Sequence, residues 1–369
     1  MLPPDIQAAA MRMLHQRTAR LAEGEPVAEP LVTTSTFRLG DQPPADAIYG
    51  RYATPNVMAC EARLAELEGA PCTLFAAGMG AIAGVMLATL NAGARVVLPA
   101  DGYFHARVLA ADILAPFGIE AVEVPTLRMA EADLTGAALV LVETPSNPGL
   151  DLVDIRALAD RAHAAGARLA VDNTFCTGLL QRPLAHGADI VVAADTKAAG
   201  GHSDLILGHA ATQDATLDER LRAVRKFAGM IPGPFEAWML SRSLETLELR
   251  MERMCANAAM LAETLAPHAE VSWPGLPGHP GHDLGRRQMA APGLVLGATF
   301  ASRRAAERFT RQAGLLEATS FGGTHTSVDR RARWGDAVPE GFLRISAGIE
   351  PTEALRAAVA GALDALADG

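Results

Sequence analysis

Lysine is almost absent from this sequence. Of its 32 basic residues only Lys197 and Lys226 are lysines, and the other 30 are arginines. Arginine keeps its charge, whereas a lysine amine can lose its proton and attack a carbonyl carbon to form a Schiff base. Lys197 follows the apolar run 189–194 and precedes Gly200 and Gly201, so we expect it where a buried strand ends in a tight turn. Lys226 lies among arginines at helical spacing and is interpreted as a surface residue.

Excess positive charge and long apolar runs are also missing. The net charge is −10, which argues against nucleic acid or an anionic membrane as a partner, because both attract basic surfaces. No run approaches the roughly 18 apolar residues of a membrane span, and the N-terminal segment MLPPDIQAAAMRMLHQRTAR lacks the apolar core of a signal peptide. The sequence therefore predicts a cytoplasmic protein with a small-molecule substrate.

Cysteine is rare, and no two cysteines have the CxxC spacing of a zinc site or redox pair. The four cysteines are Cys60, Cys72, Cys176 and Cys255. We interpret them as small core residues rather than as a disulfide framework or a catalytic thiol. His279 and His282 form an HxxH pattern, but the prolines and glycines of PGLPGHPGHD indicate a loop and not a helix with two ligands on one face. No metal site is expected.

Short apolar runs alternate with helical stretches between residues 57 and about 212. The runs are TLFAA (73–77), RVVLP (95–99), EAVEV (120–124), ALVLVE (138–143), RLAVD (168–172), DIVVAA (189–194) and LILGHAA (205–211). Strands that are apolar throughout, separated by helices, are typical of a mostly parallel sheet covered by helices on both faces. The predicted fold class is therefore α/β, with the ligand outside the carboxyl ends of the strands.

Composition divides the chain into three regions. Residues 1–50 are rich in Pro, Gly and Thr without clear periodicity, which suggests an extended N-terminal arm that packs on another subunit. A large cofactor-binding domain is expected at 51–235, and a smaller C-terminal α/β domain at 236–369 that starts with a linking helix over about 236–266. The smaller domain is expected to contain strands at 293–300 and 342–348 and helices near 302–313 and 352–367.

Asp172 provides the first partner for Lys197. It closes the run RLAVD, 25 residues before Lys197, and a helix over 178–186 fits between them, so both side chains should emerge at the carboxyl ends of nearby strands. A carboxylate beside a Schiff-base lysine is what pyridoxal phosphate (PLP) requires, because the acid keeps the pyridine nitrogen protonated and the ring acts as an electron sink. Taken alone, Asp172 is equally well explained as a helix cap or a turn residue.

The stretch AAGMGAIAG (76–84) predicts a site for a phosphate. Its glycines expose backbone N–H groups at a helix N-terminus that follows a strand, and Thr196 could add a hydroxyl. An alternative is a dinucleotide site, since Gly78 and Gly80 with Asp101 further on imitate the dinucleotide fingerprint. That match is imperfect because the third glycine, Gly84, comes one residue late, and a dehydrogenase leaves Lys197 without a task.

Four longer motifs carry a family resemblance. They are VETPSNP (142–148), VDNTFCTGLLQRPLAHGADIVV (171–192), TKAAGGHSD (196–204) and LRISAGIE (343–350). The chain resembles, from about Thr33 to its C-terminus, the Cys/Met-metabolism group of PLP-dependent enzymes, which includes cystathionine γ-synthase, cystathionine γ-lyase, cystathionine β-lyase and methionine γ-lyase. The resemblance implies the fold type I of PLP-dependent transferases.

The resemblance also implies roles for individual residues. Lys197 matches the lysine that binds the cofactor and shuttles protons, Asp172 matches the partner of the pyridine nitrogen, and Tyr103 matches the tyrosine stacked on the cofactor ring, which assists proton transfer to the leaving group. Gly78, Met79 and Thr196 match contacts to the phosphate, and Tyr49 and Arg51 match a pair that reaches the phosphate from a neighbouring subunit. Arg344 matches the arginine that binds the substrate α-carboxylate, with Asn147 and Ser320 nearby.

Several positions depart from the family pattern. Ala194 and Ala198 replace a serine and a tyrosine beside the lysine, so one phosphate hydroxyl is missing. Phe321 and His325 are expected at the mouth of the substrate pocket, and His325 stands where relatives have an acidic residue associated with the distal amino group of cystathionine. Phe104 and His105 occupy the site where methionine γ-lyases have a cysteine.

These observations lead to one main functional hypothesis and several alternatives. The main hypothesis is a PLP-dependent carbon–sulfur lyase that performs γ-elimination on an L-amino acid thioether, most of all cystathionine. The alternatives within the family are γ-replacement on an O-acylhomoserine and methionine γ-lyase or cystathionine β-lyase activity. Outside it are a nicotinamide dehydrogenase and a regulatory binder without turnover. Shared active sites imply a homodimer, which the resemblance pairs into a tetramer.

Overall fold

The computed structural model describes residues 2–41 and 49–367. The α-helices are α1 (Pro4–His15), α2 (Pro55–Glu68), α3 (Gly78–Thr89), α4 (Phe104–Val108), α5 (Ile155–Ala164), α6 (Thr177–Leu180), α7 (Ala215–Ala228), α8 (Pro234–Leu244), α9 (Leu247–Leu265), α10 (His282–Gln288), α11 (Arg303–Gln312) and α12 (Thr352–Ala367). The strands are β1 (Cys72–Phe75), β2 (Arg95–Pro99), β3 (Glu120–Val124), β4 (Ala137–Glu143), β5 (Arg168–Asp172), β6 (Ile190–Ala193), β7 (Gly208–Thr212), β8 (Glu270–Ser272), β9 (Val295–Thr299), β10 (Leu316–Glu317), β11 (Ser327–Asp329) and β12 (Phe342–Ser346).

The larger sheet has seven strands in the order β1-β7-β6-β5-β4-β2-β3. Strands β2 to β6 pair in parallel with their neighbours, whereas β7 runs antiparallel between β6 and β1. The predicted α/β class with a mostly parallel sheet is therefore confirmed. The register pairs Glu143 with Asp172, so two carboxylates lie side by side at the carboxyl edge of the sheet.

Helices cover both faces of this sheet, which explains why its strands are apolar throughout. Along β4, Leu139 and Leu141 pack into the cluster that contains the α3 residues Ile82 and Val85. Val140 and Val142 point to the other face, into the cluster with α5. Because successive side chains of a strand point to opposite faces, both sets must be apolar when both faces are buried.

The N-terminal region departs from the predicted extended arm. Residues 4–15 form helix α1, with Pro4 in its first turn and Ile6, Ala10 and Met13 buried in the same cluster as α2. The spacing of these three residues is that of one helical face, a pattern that the Pro-, Gly- and Thr-rich composition of the wider region obscures. The segment from 21 to 35 has neither helix nor strand, so only this later part matches the prediction.

Two predicted helices are wrong in detail. The region 178–186 is not one helix, because α6 ends at Leu180 and a 3-10 turn, Pro183–His186, follows it; Pro183 lacks the N–H that would continue an α-helix. The linking helix is likewise divided, since α8 ends at Leu244 and α9 begins at Leu247. The last strand of the large sheet begins at Gly208 and not at 205.

The smaller sheet has the strand order β10-β11-β12-β9-β8. Its strands β9 and β12 lie within the predicted segments 293–300 and 342–348, and they pair antiparallel with Arg344 opposite Gly297. Residues of α9, α11 and α12, including Leu261, Phe309 and Val359, share one buried cluster with this sheet. The arginine of the LRIS motif therefore sits in the middle of a well-packed strand.

The helices were also compared with the requirements of a membrane span. None of the helices within residues 2–41 and 49–367 combines the length and the hydropathy that a bilayer crossing needs.

The packing of the sheet against α3 leads to a stability prediction. A Cβ at Gly208 would lie 2.5 Å from the Cα of Gly78, so we expect Gly208→Ala to lower the free energy of unfolding by about 1–3 kcal/mol through overpacking. The matched control is Gly361→Ala in α12, where a Cβ meets nothing within 4 Å and the change should raise stability by roughly 0.5–1 kcal/mol. Urea unfolding of both variants tests this; equal effects of the two substitutions would contradict it.

Candidate active site

Lys197 lies in a tight turn directly after β6. Its backbone N–H donates to the Ala194 carbonyl at 3.1 Å, and its own carbonyl accepts from the N–H of Gly201 at 2.8 Å. Gly201 has a φ of +71°, a left-handed conformation that glycine adopts without strain. The turn directs the lysine amine inward, where Nζ donates to Ser320 Oγ at 2.6 Å. The predicted location of Lys197 at a strand end is therefore observed.

The surroundings of Lys197 favour its neutral form. Burial, followed by the nearby positive charge of Arg344, lowers the pKa of Lys197 to about 8, although the carboxylate of Asp172 opposes this shift. A lysine with its ordinary pKa of about 10.4 is almost wholly protonated at neutral pH. The lowered pKa makes a larger share of the Lys197 amines neutral near pH 7, and the neutral amine is the form that attacks carbonyls.

Asp172 closes β5 and is held through one of its oxygens. Thr174 donates to Asp172 Oδ1 twice, from its backbone N–H at 3.0 Å and from its hydroxyl at 2.5 Å. The same hydroxyl accepts from the N–H of Ala194 at 2.9 Å, which connects the aspartate to the lysine turn. Burial raises the pKa of Asp172, while the bonds from Thr174 lower it. Because these bonds all go to Oδ1, the Oδ2 atom is left to receive a donor from a ligand.

Tyr103 follows β2 and is positioned by a buried carboxylate. Its backbone N–H donates to Glu143 Oε2 at 2.9 Å. Tyr103 is 40% exposed and lines a small crevice together with Glu143 and Asp172. Burial, followed by the charges of these two carboxylates, raises the pKa of Tyr103. The phenol is thus kept protonated and can act as a proton donor.

Arg344 is buried at the junction between the two sheets. One of its terminal nitrogens donates to Asn147 Oδ1 at 2.8 Å. The other donates to the Ser320 carbonyl at 2.8 Å and lies 3.4 Å from Asp329 Oδ2. Burial lowers the pKa of Arg344 to about 10, so the guanidinium remains charged near neutral pH. Its planar fork suits a carboxylate that binds through both oxygens.

The N-terminus of α3 lies against the lysine turn. No side chain caps this helix, which begins at Gly78 after β1, so its first N–H groups remain available for an anion. A Cβ at Gly78 would lie 2.6 Å from Cβ of Ala194, and glycine is therefore required for this close approach. Thr196, on the same turn, exchanges hydrogen bonds of 3.2 Å with the N–H and carbonyl of Leu207.

A cleft of about 860 Å³ opens beside Lys197. Phe321 forms part of its wall and stacks on Phe175 with ring centroids 4.2 Å apart; it also lies 5.2 Å from Lys197 Nζ. The remaining lining includes Thr196, Ser320, the partly buried Glu236 and the exposed side chains of Asp204 and His325. Phe321 is thus a buried part of the lining and His325 an exposed part, and their place at the mouth of a substrate pocket stays a prediction.

In the described part of this chain, Tyr49 and Arg51 form no hydrogen bond or salt bridge with the other predicted site residues. Both are exposed, and the Arg51 guanidinium lies 5.5 Å from the centre of the Tyr49 ring. No hydrogen bond or salt bridge joins either one to Lys197, Thr196 or Gly78 in the part of the chain that the structure describes. The other lysine, Lys226, belongs to α7, and its Nζ lies 3.7 Å from the centre of the Tyr52 ring.

The remaining candidates from the sequence have structural explanations. Burial raises the pKa of all four cysteine thiols, as expected for core residues. His279 accepts from the N–H of Gly281, and His282 pairs with the Pro274 carbonyl. Asp101, the candidate ribose ligand of a dinucleotide, instead accepts from the N–H and the hydroxyl of Thr126 at 2.8 and 2.6 Å.

Three residues of the site were missed by the sequence reasoning. Thr174 holds Asp172, Glu143 holds the backbone of Tyr103, and Asp329 contacts Arg344. Thr174 and Glu143 lie inside motifs that had been recognised, and the two-residue spacing of Asp172 and Thr174 is a usable signal because such a threonine can cap its own turn. Asp329 has no such signal, since it meets Arg344 only through strand pairing.

The assembled residues fit PLP in each of its parts. Lys197 offers an amine to an aldehyde, and Asp172 offers Oδ2 to a protonated pyridine nitrogen. The open start of α3, with Gly78 pressed against Ala194, leaves a site for a phosphate. Tyr103, partly exposed beside Asp172, presents a ring for stacking. A dinucleotide would use only the start of α3.

Comparisons with known proteins agree with this arrangement. The sequence matches the family described as Cys/Met metabolism PLP-dependent enzymes over residues 11–364. A Streptomyces coelicolor protein with the provisional name cystathionine gamma-lyase is 44% identical over 351 residues, 92% of this chain and 89% of that protein. Cystathionine gamma-synthase of Mycobacterium tuberculosis is 38% identical over 322 residues, 82% of each chain. The crystal structure of metB from Corynebacterium glutamicum has a TM-score of 0.92 at 33% identity and covers 99% of this chain and 100% of that one.

The lowered pKa of Lys197 can be measured directly because the chain has only two lysines. In protein labelled with ¹³C at lysine Cε and prepared without cofactor, we expect one resonance to titrate with a midpoint near pH 8. Its neutral fraction rises as the pH passes this value. Lys226→Arg removes the other resonance and should leave this one unchanged. A Lys197 midpoint above pH 10 would show that burial does not act as described.

Proposed function

Because the chain belongs to the Cys/Met metabolism family of PLP-dependent enzymes, we propose that it is a carbon–sulfur lyase acting on cystathionine by γ-elimination. With one water molecule, the reaction converts cystathionine to cysteine, 2-oxobutanoate and ammonia. The observation that carries this proposal is the direct contact of the Lys197 amine with Ser320, whose carbonyl holds Arg344. This contact supports a base and a carboxylate-binding group on either side of Ser320, which itself lines the cleft.

The geometry supports a role for each residue in this reaction. We propose that Arg344, steadied by Asn147 and Ser320, binds the substrate α-carboxylate through both oxygens. We assign to Lys197 the removal of the α-proton and afterwards of a β-proton, since its lowered pKa favours the neutral amine that a base must be. When bound, PLP withdraws electrons from the α-carbon and so makes these protons acidic.

Departure of the sulfur requires a proton donor. The raised pKa of Tyr103 keeps its phenol protonated, and the residue lines the crevice that also contains Asp172. We assign to Tyr103 the proton that neutralises the leaving thiolate. Asp172, held by Thr174, provides the negative charge for the pyridine nitrogen, and Gly78, Met79 and Thr196 provide the contacts to the phosphate. His325, an exposed part of the cleft lining, is assigned to the distal part of the substrate.

Gamma-replacement is the second candidate, because one relative named above is a cystathionine gamma-synthase. It differs from γ-elimination after the bond at the γ-carbon has broken, with release of a thiol from cystathionine or of a carboxylate from an O-acylhomoserine, since the sulfur of cysteine then adds at the γ-carbon. The higher identity and coverage of the relative named as a γ-lyase, 44% over 92% of the chain against 38% over 82%, support γ-elimination as the main activity.

A substrate panel separates these activities. We expect the highest kcat/KM with cystathionine, giving equal amounts of 2-oxobutanoate and cysteine, and no keto acid from Lys197→Ala protein. Pyruvate with homocysteine would indicate β-elimination, and methanethiol from methionine would indicate a methionine lyase. Formation of cystathionine from an O-acylhomoserine and cysteine, without 2-oxobutanoate from cystathionine, would overturn the assignment in favour of γ-replacement.

We propose in addition that two copies of the chain share their active sites. Arg51 is exposed, and Asp204 and Glu236 place negative charge on the lining of the cleft. These opposite charges favour the approach of Arg51 of one copy to the cleft of another. The segment 21–35 exposes Val27 and Leu31, which suits contact with another subunit. Pairing of such dimers into a tetramer, and a cytoplasmic location, remain predictions from the sequence.

Hybrid dimers test this sharing. Arg51→Ala and Lys197→Ala proteins should each have little activity, but a hybrid of the two has one site with both native residues if Arg51 serves its partner. Random mixing then restores about a quarter of the wild-type activity, since half of the dimers of a symmetric pair are hybrids with one complete site each. No recovery from a mixture shown to contain hybrids, for example by native mass spectrometry, would place Arg51 in its own subunit's site.

The division of the chain into parts is also a proposal. The strands of the larger sheet all lie between residues 72 and 212, and those of the smaller sheet between 270 and 346. This supports an N-terminal arm at 1–50, a large PLP-binding domain at 51–235 and a small domain at 236–369. The linking region 236–266 then comprises most of α8 together with α9.

A further inference from the structure

Three ionisable side chains are buried together beneath the lysine turn. His209 of β7 places its Nδ1 at 2.9 Å and 3.1 Å from the two carboxylate oxygens of Asp195. On its other side, its Nε2 lies 3.6 Å from Glu68 Oε1. The exposed fractions of Asp195, His209 and Glu68 are only 1%, 2% and 5%. None of the three has a role in the reaction proposed above, and we call them the buried trio.

The two carboxylates of the buried trio favour the protonated form of its histidine. Burial alone would lower its pKa, but the charges and hydrogen bonds of Asp195 and Glu68 outweigh burial and raise the pKa of His209 to about 10. Glu68 is the last residue of α2, where the helix dipole disfavours a negative charge. A positive charge next to it is therefore needed to offset both that effect and the cost of burying two carboxylates.

The pair of His209 and Asp195 also lies where the cofactor-binding elements meet. Asp195 stands two residues before Lys197, and its carbonyl accepts from the N–H of Gly200 at 2.7 Å, which closes the turn. Thr196, between Asp195 and Lys197, is bonded to Leu207, two residues before His209.

Gly208 connects the same region to the phosphate site. It directly precedes His209, and it packs so closely on Gly78 that a Cβ there would lie 2.5 Å from the Gly78 Cα. The lysine turn, the start of β7 and the start of α3 are thus in contact with one another. A displacement of β7 against the turn would move the Lys197 amine relative to the start of α3, where the phosphate is expected to bind.

We propose that His209 is a positioning residue for PLP, because its charged bond to Asp195 locks the lysine turn onto β7. The proposal rests on the PLP role assigned to Lys197. It predicts that the affinity for PLP, and the orientation of the bound ring, depend on a residue that does not touch the cofactor. If His209 served only to fill space, its replacement would change stability and leave both of these properties unaltered.

The experiment compares His209→Gln, Asp195→Asn and the double variant with wild-type protein. Each is prepared without cofactor and titrated with PLP, with the dissociation constant from equilibrium dialysis and the ring orientation from circular dichroism in the PLP absorption band. We expect each single variant to weaken PLP binding about tenfold and to alter the dichroism. The double variant should be no weaker than the singles, because the two residues act as one unit.

The matched control is His163→Gln. His163 forms a histidine–aspartate pair of the same length, 2.9 Å to Asp189, but its side chain is 47% exposed. PLP binding and dichroism should be unchanged in this variant. If a single variant does not fold, a triple variant that adds Glu68→Gln to the double variant decides, since its three amides leave no unpaired buried charge at positions 68, 195 and 209.

One result would contradict the role of His209, and another would contradict the proposed function. A folded His209→Gln, double or triple variant that binds PLP within twofold of wild type, with the same dichroism, overturns the role of His209 alone. A wild-type protein that binds no PLP overturns the proposed function, whatever the variants do.

Discussion

The burial of the Lys197 amine between a positive and a negative side chain is the constraint on which the rest of the proposed site depends. Lys197 is surrounded by the Arg344 guanidinium and the Asp172 carboxylate, and the cost of removing its charge from water is what lowers its pKa. Both neighbours need their own support, because an ion buried without partners is costly. Thr174 supports Asp172, and Asn147, Ser320 and Asp329 support Arg344. Much of the polar structure around the cleft follows from this requirement.

The parallel sheet explains where these charges can be placed. Helices cover both of its faces, and its carboxyl edge accommodates polar groups, with Glu143 and Asp172 as neighbours. The smaller sheet then supplies Arg344 from a strand packed in its own core. The proposed site therefore lies at the junction of the two sheets, and its hydrogen bonds join segments more than a hundred residues apart in sequence.

The features that could be predicted from the sequence are those that depend on local patterns, and the contacts between distant segments could not be predicted. Apolar strands, the turn at Lys197 and the pairing of Asp172 with it depend on local patterns, and these patterns predicted them. Helix α1 and the break between α8 and α9 were missed, because a short amphipathic pattern in a Pro-rich region and a break without proline give weak local signals. The contact of Lys197 with Ser320 and the role of Asp329 depend on how two sheets pack, which a single sequence does not encode in any short stretch.

The packing of Lys226 against Tyr52 and the scarcity of other lysines have a consequence for the lifetime of the protein. An aldehyde condenses with any accessible primary amine, so a protein that works with one is exposed to stray adducts on its own surface. Arginine carries nearly all of the positive charge here, and its guanidinium stays protonated and unreactive. The surface of the protein therefore offers few lysine amines that could react with the aldehyde of the cofactor.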